Sequence, residues 1–350
     1  VYTELEKGEF LSSRDIVCLM EESGVIHDKL NKYLKDRKYN KTVDIVKRLG
    51  VIAPRNIHLK GHPIDTPSSF FNPSFLIEDE KIILYGRVIL GYFTYTSAIA
   101  EVVIPHHDLK TISKHSYSAK IKIYPDNKYD LWGTEDPRVY VVNGEKLLTY
   151  CGRTINYFNK SIEIEKTTPL TAVYHNSIWR KNCVFKPSLE LKEIVISDKD
   201  AFIVKTRKGL KLFHRIHIKN SGFHLVVSDI KEDIWRNDKL REIEVENTRI
   251  IFEPKDFEDK IGWSTPPVEI DGIYIFFLHA VERELKRYKI FAVMIDEELE
   301  LKAATPVYIM EPREIYEIHG DRPYTIFPVS YTHLRAHETR HDLVCRLLLE

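Results

Sequence analysis

The chain has 350 residues, 43% of them hydrophobic, with 52 Lys plus Arg against 52 Asp plus Glu. That composition can fill a large core, and the even charge excludes a global field for nucleic acid or an acidic membrane surface, so any preference for anions must be local. No apolar run reaches the roughly 20 residues that span a bilayer, and four scattered cysteines, Cys18, Cys151, Cys183 and Cys345, fit neither a zinc site nor a disulfide framework, which points to a reducing, cytoplasmic setting.

Residues 1–50 read as a helical extension. Ser12-x-x-Asp15 resembles a capping box, and Ile16, Leu19 and Met20 begin an apolar face that resumes at Val25, Ile26, Leu30, Tyr33 and Leu34. A second set, Val43, Ile45, Val46 and Leu49, ends at Gly50, a helix C-terminal signal. Such helices would cap the main domain or pack on a second copy of the chain, giving a homo-oligomer. From Val51 onward β-branched and aromatic runs predict strands, and one mainly β domain is expected over 51–330. Asn143-Gly144 joins RVYVV to EKLLTY, Lys208-Gly209 joins AFIVKT to LKLFHR, and Asp271-Gly272 joins PPVEI to IYIFFL, each as a tight hairpin. Tyr324–Ser330 reads as a last strand. Residues 331–350 then turn Arg- and His-rich with helical spacing and look like a non-native tail, such as adapter read-through.

Four hairpins end their second strand in a single cation: Arg87, Arg153, Arg215 and His279, at intervals of 66, 62 and 64 residues. A repeat of about 64 residues holds four strands with their loops, the size of a large propeller blade. Inner strands of a propeller surround a funnel, so four basic side chains meeting there make an anion site. A fifth equivalent falls 64 residues beyond His279, near residue 343 and inside the tail, so the last of five blades is expected to be incomplete. The plain alternative is that Lys and Arg often finish strands. Against it stands the apolar run before each cation, because a buried charge needs a partner or a ligand.

The sharpest local motif is Trp132-Gly133-Thr134-Glu135-Asp136-Pro137-Arg138. Pro137 fixes the backbone and is expected to hold Asp136 extended. Arg138 can orient a carboxylate or bind a substrate oxygen, and Asp136 can serve as a general acid if its surroundings keep it protonated. A turn with a surface ion pair is the plain reading of the same residues. The histidines, including His106-His107 and His217, have no ligand spacing, and no metal is expected.

Phe71-Asn72-Pro73-Ser74, Leu84-Tyr85-Gly86-Arg87, Gly133 to Arg138, Asp198-Lys199-Asp200-Ala201 and His214-Arg215 occur in that order. They are followed by Gly262-Trp263-Ser264-Thr265-Pro266-Pro267, Asp271-Gly272 with Leu278-His279, Tyr288, Glu311-Pro312-Arg313, Tyr316-Glu317 with Gly320, and Phe327-Pro328. The series resembles glycoside hydrolase family 130, the mannoside phosphorylase family. The resemblance implies a five-bladed β-propeller and inverting phosphorolysis of β-mannosides to α-mannose 1-phosphate. It implies an oligosaccharide substrate, inorganic phosphate as co-substrate, and neither cofactor nor metal.

By the same resemblance Asp136 is the proton donor, acting through a sugar hydroxyl. Lys199, Arg215 and His279, helped by Tyr288, hold phosphate, while Asn72, Ser74, Arg87, Glu135, Arg138, Arg153 and Asp200 line the sugar and phosphate pocket. Phosphate chemistry agrees with the repeat, since a doubly charged nucleophile needs fixed cations. Arg215 can bind two oxygens and Lys199 acts as a point charge. Two alternatives stay open. An inverting β-mannosidase would activate water with a second carboxylate about 6.5–9.5 Å from the first, with Glu282 and Glu317 as candidates, and a non-catalytic sugar-binding propeller is the other. Trp263 and Trp132 either stack on a sugar or fill a blade interface. Two departures stand out: Ala280 replaces the family's glycine after the strand-end histidine, and the Tyr-Tyr-Gly strand with its Asp is absent after Phe327-Pro328.

Overall fold

A computed structural model describes residues 39–330, apart from residues 92, 160, 237, 238 and 321. Most of the expected helical extension and all of the expected tail lie outside the described residues. The first sheet contains β1 (Ile57–Leu59), β2 (Phe70–Glu78), β3 (Lys81–Gly91), β4 (Thr96–Pro105) and β5 (Tyr117–Ile123). The second begins with β6 (Thr134–Val142), β7 (Glu145–Arg153), β8 (Thr167–His175) and β9 (Ile178–Lys186), and the third with β10 (Val195–Thr206), β11 (Gly209–Ile218) and β12 (Gly222–Ile230). β13 (Arg241–Glu244) then returns to pair in parallel with β9, and β14 (Glu246–Phe252) completes the third sheet beside β12. β15 (Glu258–Trp263), β16 (Val268–Ile270), β17 (Ile273–Glu282), β18 (Tyr288–Asp296) and β19 (Leu301–Ala304) form the fourth.

The sheets are arranged as a β-propeller, and two of the hairpin signals, in the second and fourth sheets, have the backbone they call for. Asn143 and Gly144 have φ of 54° and 81°, and Asp271 and Gly272 have φ of 50° and 81°, the paired left-handed residues of a type I′ turn. Alternate residues of a strand serve opposite faces, and here both faces are buried. On β17, Tyr274, Phe276, Leu278 and Ala280 pack with Phe202, Phe213 and Trp263 of neighbouring strands, while Phe277 and Val281 face Tyr288, Ile290, Ile309 and Met310. Comparable apolar layers join the first sheet to the second, around Tyr85, Val139 and Tyr150, and the second to the third, around Leu147, Phe185 and Ile203. Truncating one such aromatic, Phe276 for example, costs about 3–5 kcal/mol.

Among the described residues four sheets form, and the fifth blade is not built as one. Residues 305–330 contain isolated bridges and one short helix, Ile315–Ile318, but no strand, and Tyr324–Ser330 is irregular where a strand was expected. Pro306, Pro312, Pro323 and Pro328 account for this, because each removes a ladder donor. The segment nevertheless spans from the fourth sheet to the first: the Ile290 N–H donates to Met310 O at 2.9 Å, and Ser330 Oγ donates to Phe75 O at 3.2 Å.

Residues 43–49 correct the helix expectation. They form no helix, and the Val43 and Ile45 N–H groups donate instead to Tyr308 O and Ile309 O at 2.8 and 3.1 Å. Val43, Ile45 and Val46 are β-branched, which favours the extended chain, and Ile45 and Val46 pack on the fourth sheet's apolar layer. A polar latch fixes this strap. Arg48 Nε meets Glu317 Oε1 at 2.6 Å, Asn40 Nδ2 donates to Glu282 Oε2 at 2.8 Å, and Lys289 Nζ donates to Asn40 Oδ1 at 2.9 Å. No helix among the described residues is long and apolar enough to cross a membrane.

Candidate active site

The first hairpin of each of the first three sheets carries the same break in register. It falls between Phe71 and Ser74, between Glu135 and Arg138, and between Lys199 and Phe202. At each bulge one residue turns left-handed: Asn72 with φ of 49°, Asp136 with 50° and Asp200 with 54°. Asn and Asp are the side-chain-bearing residues that tolerate this region best, and a bulge re-aims a side chain. Asp136 is therefore not extended, as Pro137 suggested. A proline disfavours the right-handed helical region for its predecessor, and the bulge takes Asp136 to the left-handed one instead.

The bulges sit beside the repeated cations. Arg87 pairs opposite Phe71 and Arg215 opposite Lys199, but the residue opposite Glu135 is Cys151. Arg153 lies one pleat further along the same face of β7, which explains the uneven first two intervals of the repeat. Arg87, Arg153, Arg215 and His279 all reach one cavity of about 440 Å³, together with Asn72, Glu135, Asp136, Lys199, Asp200 and Tyr288.

One half of the cavity is organised by a carboxylate. Glu135 Oε1 lies 2.8 Å from both Arg87 NH2 and Arg153 Nε, and its Oε2 is 3.5 Å from Lys199 Nζ. Burial by itself would raise the pKa of Glu135, but Arg87, Lys199 and Arg153 outweigh burial and hold it well below the usual carboxylate range. Asp136 is beside it, with Oδ1 accepting from Asn72 Nδ2 at 2.7 Å and Arg87 NH1 at 3.2 Å. Its Oδ2 has no hydrogen bond among the described residues. The rim is aromatic: Phe71 and Tyr95 lie 4.9 and 5.9 Å from the Arg87 guanidinium, and Tyr157 lies 4.7 Å from that of Arg153.

The other half holds more cation than carboxylate. Asp200 Oδ2 is 3.1 Å from Arg215 Nε and 3.6 Å from His279 Nε2, and its Oδ1 is 3.5 Å from Arg138 NH2. Burial would raise Asp200, yet the surrounding cations, Arg215 first and then Arg138, pull it down to about 2. Arg215 meets Asp200 off the hydrogen-bond direction, so its buried Nε and NH1 lack hydrogen-bond partners among the described residues. His279 donates to or accepts from Ser264 Oγ through Nδ1 at 3.1 Å and stacks on Tyr288. Burial, with Arg215 and Lys260 nearby, pushes its pKa well below the ordinary histidine value, so it is neutral, whereas burial pushes the pKa of Tyr288 up. Gly262 makes this packing possible, since a Cβ there would overlap the His279 ring and sit 2.6 Å from Asp200 Oδ2.

Two expected lining residues are elsewhere. Ser74 is fully buried and accepts from the Val139 N–H at 2.8 Å, tying the first sheet to the second. Arg138 lies beneath the cavity, donating to Ser264 O and Trp263 O at 2.8 and 2.9 Å, and orients Asp200 from below. Trp263 fills a blade interface, edge-on to Phe213 at 5.2 Å, with its indole N–H on His214 O. Glu282 and Glu317, the candidate bases for water, are absent from the cavity. Glu282 is bound by Arg287 and Asn40, and Glu317 by Arg48 and the backbone N–H of Arg313. Sequence reasoning missed Lys260, Arg322, Tyr95, Tyr157, Tyr316 and Phe327, which all line the cavity. Lys260 in the edge strand EDKIGW carries no signal beyond strand alternation, and Arg322 comes from the irregular segment.

A family model described as β-1,4-mannooligosaccharide phosphorylase matches residues 35–341. No curated protein matches the sequence. Among solved structures, the chain is similar to a β-1,2-mannobiose phosphorylase from Listeria innocua, with a TM-score of 0.60 and 15% identity over 81% of this chain and 88% of that one. A structure reported for family 130 glycoside hydrolases that target β-1,2 mannosidic linkages in Candida mannan gives 0.54 and 17%, covering 75% and 77%. An α-L-arabinofuranosidase from Lactobacillus brevis gives 0.53 and 11%, covering 77% and 81%. At such identities these likenesses speak for the fold alone.

Proposed function

The chain belongs to glycoside hydrolase family 130, a family of phosphorylases and hydrolases, and from that premise we propose that it cleaves β-mannosides by inverting phosphorolysis to α-mannose 1-phosphate. The observation that carries this reading is the two-part cavity. One half offers hydrogen-bonding carboxylates and an aromatic rim for a sugar, and the other keeps Arg215 with buried N–H groups unclaimed. A dianion placed there meets a guanidinium paired with a single carboxylate, beside Lys199 and Lys260. Glu282 and Glu317 are occupied by cations away from the cavity, which removes them as bases for water.

In this mechanism the sugar lies over the bulge residues. Asn72 and Arg87 fix Asp136 through Oδ1 and leave Oδ2 to deliver the proton, relayed by a sugar hydroxyl to the leaving oxygen. Phosphate, held by Lys199, Arg215, His279 and Tyr288, attacks the anomeric carbon from the opposite face as that bond breaks, inverting its configuration. The neutral His279 donates a hydrogen bond without adding charge. The family description names β-1,4 and the Listeria innocua relative β-1,2 linkages, so both mannobioses belong in the assay.

The test is release of mannose 1-phosphate from each mannobiose with and without inorganic phosphate. Phosphate-dependent product that falls about 10³-fold in Asp136→Asn is expected. Free mannose formed equally well without phosphate would replace the reading with hydrolysis, and no turnover by folded protein would replace it with sugar binding alone.

A further inference from the structure

The basic half of the cavity contains a second tier of cations outside the set matched to phosphate above. Lys260, on β15, lines the cavity with Arg215, His279, Tyr288 and Arg322. Its ammonium lies 5.2 Å from the Phe223 ring and 5.9 Å from the Tyr288 ring. The same two rings carry Arg215, 5.0 Å from Phe223, and Arg322, 4.9 Å from Tyr288. Three cations are thus interleaved with two aromatic faces along one wall. Ring faces attract cations, but they do not neutralise them. Among the described residues Lys260 has neither an ion-pair nor a hydrogen-bond partner. A lysine held in this way has little to gain from its charge until an anion arrives.

Taking the phosphorylase reading as its basis, we propose that Lys260 is a further phosphate ligand, so that above neutral pH phosphate and a proton enter together. The groups facing it decide the direction. Lys199, Arg215 and His217 face it from β10 and β11, Arg322 from the closing segment, and His279 and Tyr288 from β17 and β18; Asp200 is the one carboxylate among them. Burial, then Arg215, Arg322 and Lys199, bring Lys260 down to about 7, against which Asp200 pulls only weakly. A phosphate dianion in the cavity reverses that balance and restores the ammonium. The proton comes from solvent, and no bond to phosphate forms or breaks in the step. Arg322, constitutively charged, supplies the fixed part of the same wall.

Calorimetric titration of the full chain with inorganic phosphate at pH 8, in two buffers of different ionisation enthalpy, measures affinity and proton uptake together. Wild type is expected to take up close to one proton more per phosphate than Lys260→Arg, whose guanidinium is always charged, while the two bind with affinities within about threefold. Lys260→Met is expected to bind about tenfold more weakly and to show no uptake beyond that of Lys260→Arg. Equal proton uptake by wild type and Lys260→Arg, or wild-type affinity in Lys260→Met, overturns the role of Lys260 and leaves phosphorolysis standing. Absence of phosphate binding by folded wild type overturns both. Cooperative thermal melts of the variants establish that they are folded.

Discussion

The two halves of the cavity use charge in opposite ways. Around Glu135 every cation has a carboxylate: Arg87, Arg153 and Lys199 share one buried side chain, and Arg87 Nε is the one buried guanidinium N–H there without a partner among the described residues. Around Arg215 the charges are shared out among one carboxylate and aromatic faces, and two buried guanidinium N–H groups remain unmet. The first arrangement is rigid and pre-set, which suits a neutral sugar that must be oriented. The second stores unmet donors, which suits an anion that brings its own compensation. A site of this kind separates positioning from attraction, and the separation can be tested from either side.

The largest effect is expected at the complete half. Glu135→Ala removes the carboxylate shared by the buried Arg87 and Arg153 and the half-buried Lys199, leaving Arg87 only Asp136, and should cost about 3–5 kcal/mol, read as a lower urea midpoint; an unchanged midpoint would erase the contrast. Asp200 supplies the next. Its carboxyl is drawn down to about 2 in the folded protein against about 3.9 unfolded, so its share of stability is full above roughly pH 4 and is lost as pH falls towards 2. Replacing it by Asn should flatten that acid limb by about 2 kcal/mol, measured as unfolding free energy against pH.

Gly262→Ala acts on packing within the basic half. The added Cβ meets His279 and Asp200, so a cost of about 1–2 kcal/mol is expected, with a raised KM for phosphate and an unchanged KM for the mannoside. Equal rises in both constants would mean that the halves are not separable. The smallest effect is a gain. Lys260 titrates lower in the folded than in the unfolded chain, so its charge opposes folding fully below about pH 7 and the penalty fades as pH rises towards 10. Lys260→Met should therefore raise Tm by a few degrees at pH 6 and leave it unchanged near pH 10.

Much of this was legible in the residues. The hairpin turns were, because Asn-Gly and Asp-Gly answer to a single backbone requirement, and so was the meeting of Arg87, Arg153, Arg215 and His279, because equal spacing in a ring means convergence. What failed was side-chain direction at the bulges. Ser74 and Arg138 belong to the right motifs but follow the kink, which turns them into the interface beneath the cavity. Val43 to Leu49 failed for another reason: their apolar spacing suits either a helix or a strap, and the choice rests with Tyr308 and Ile309, more than 250 residues away in the sequence. Lys260 and Arg322 gave no local signal at all, since only the folded wall sets them on Phe223 and Tyr288.

The three left-handed bulge residues carry one more consequence. Asn72, Asp136 and Asp200 are nearly the same shape on the same backbone wedge, so exchanging amide for acid at any of them asks nothing new of the main chain. Their chemistry can be re-dealt like three cards in fixed slots. An acid moved from one wedge to the next would approach a bound sugar from a different side of the funnel, and the fold would still close around it. The propeller thereby offers interchangeable seats for a carboxyl, and what distinguishes Asp136 among them is the occupant of the neighbouring seat, an amide that holds it still.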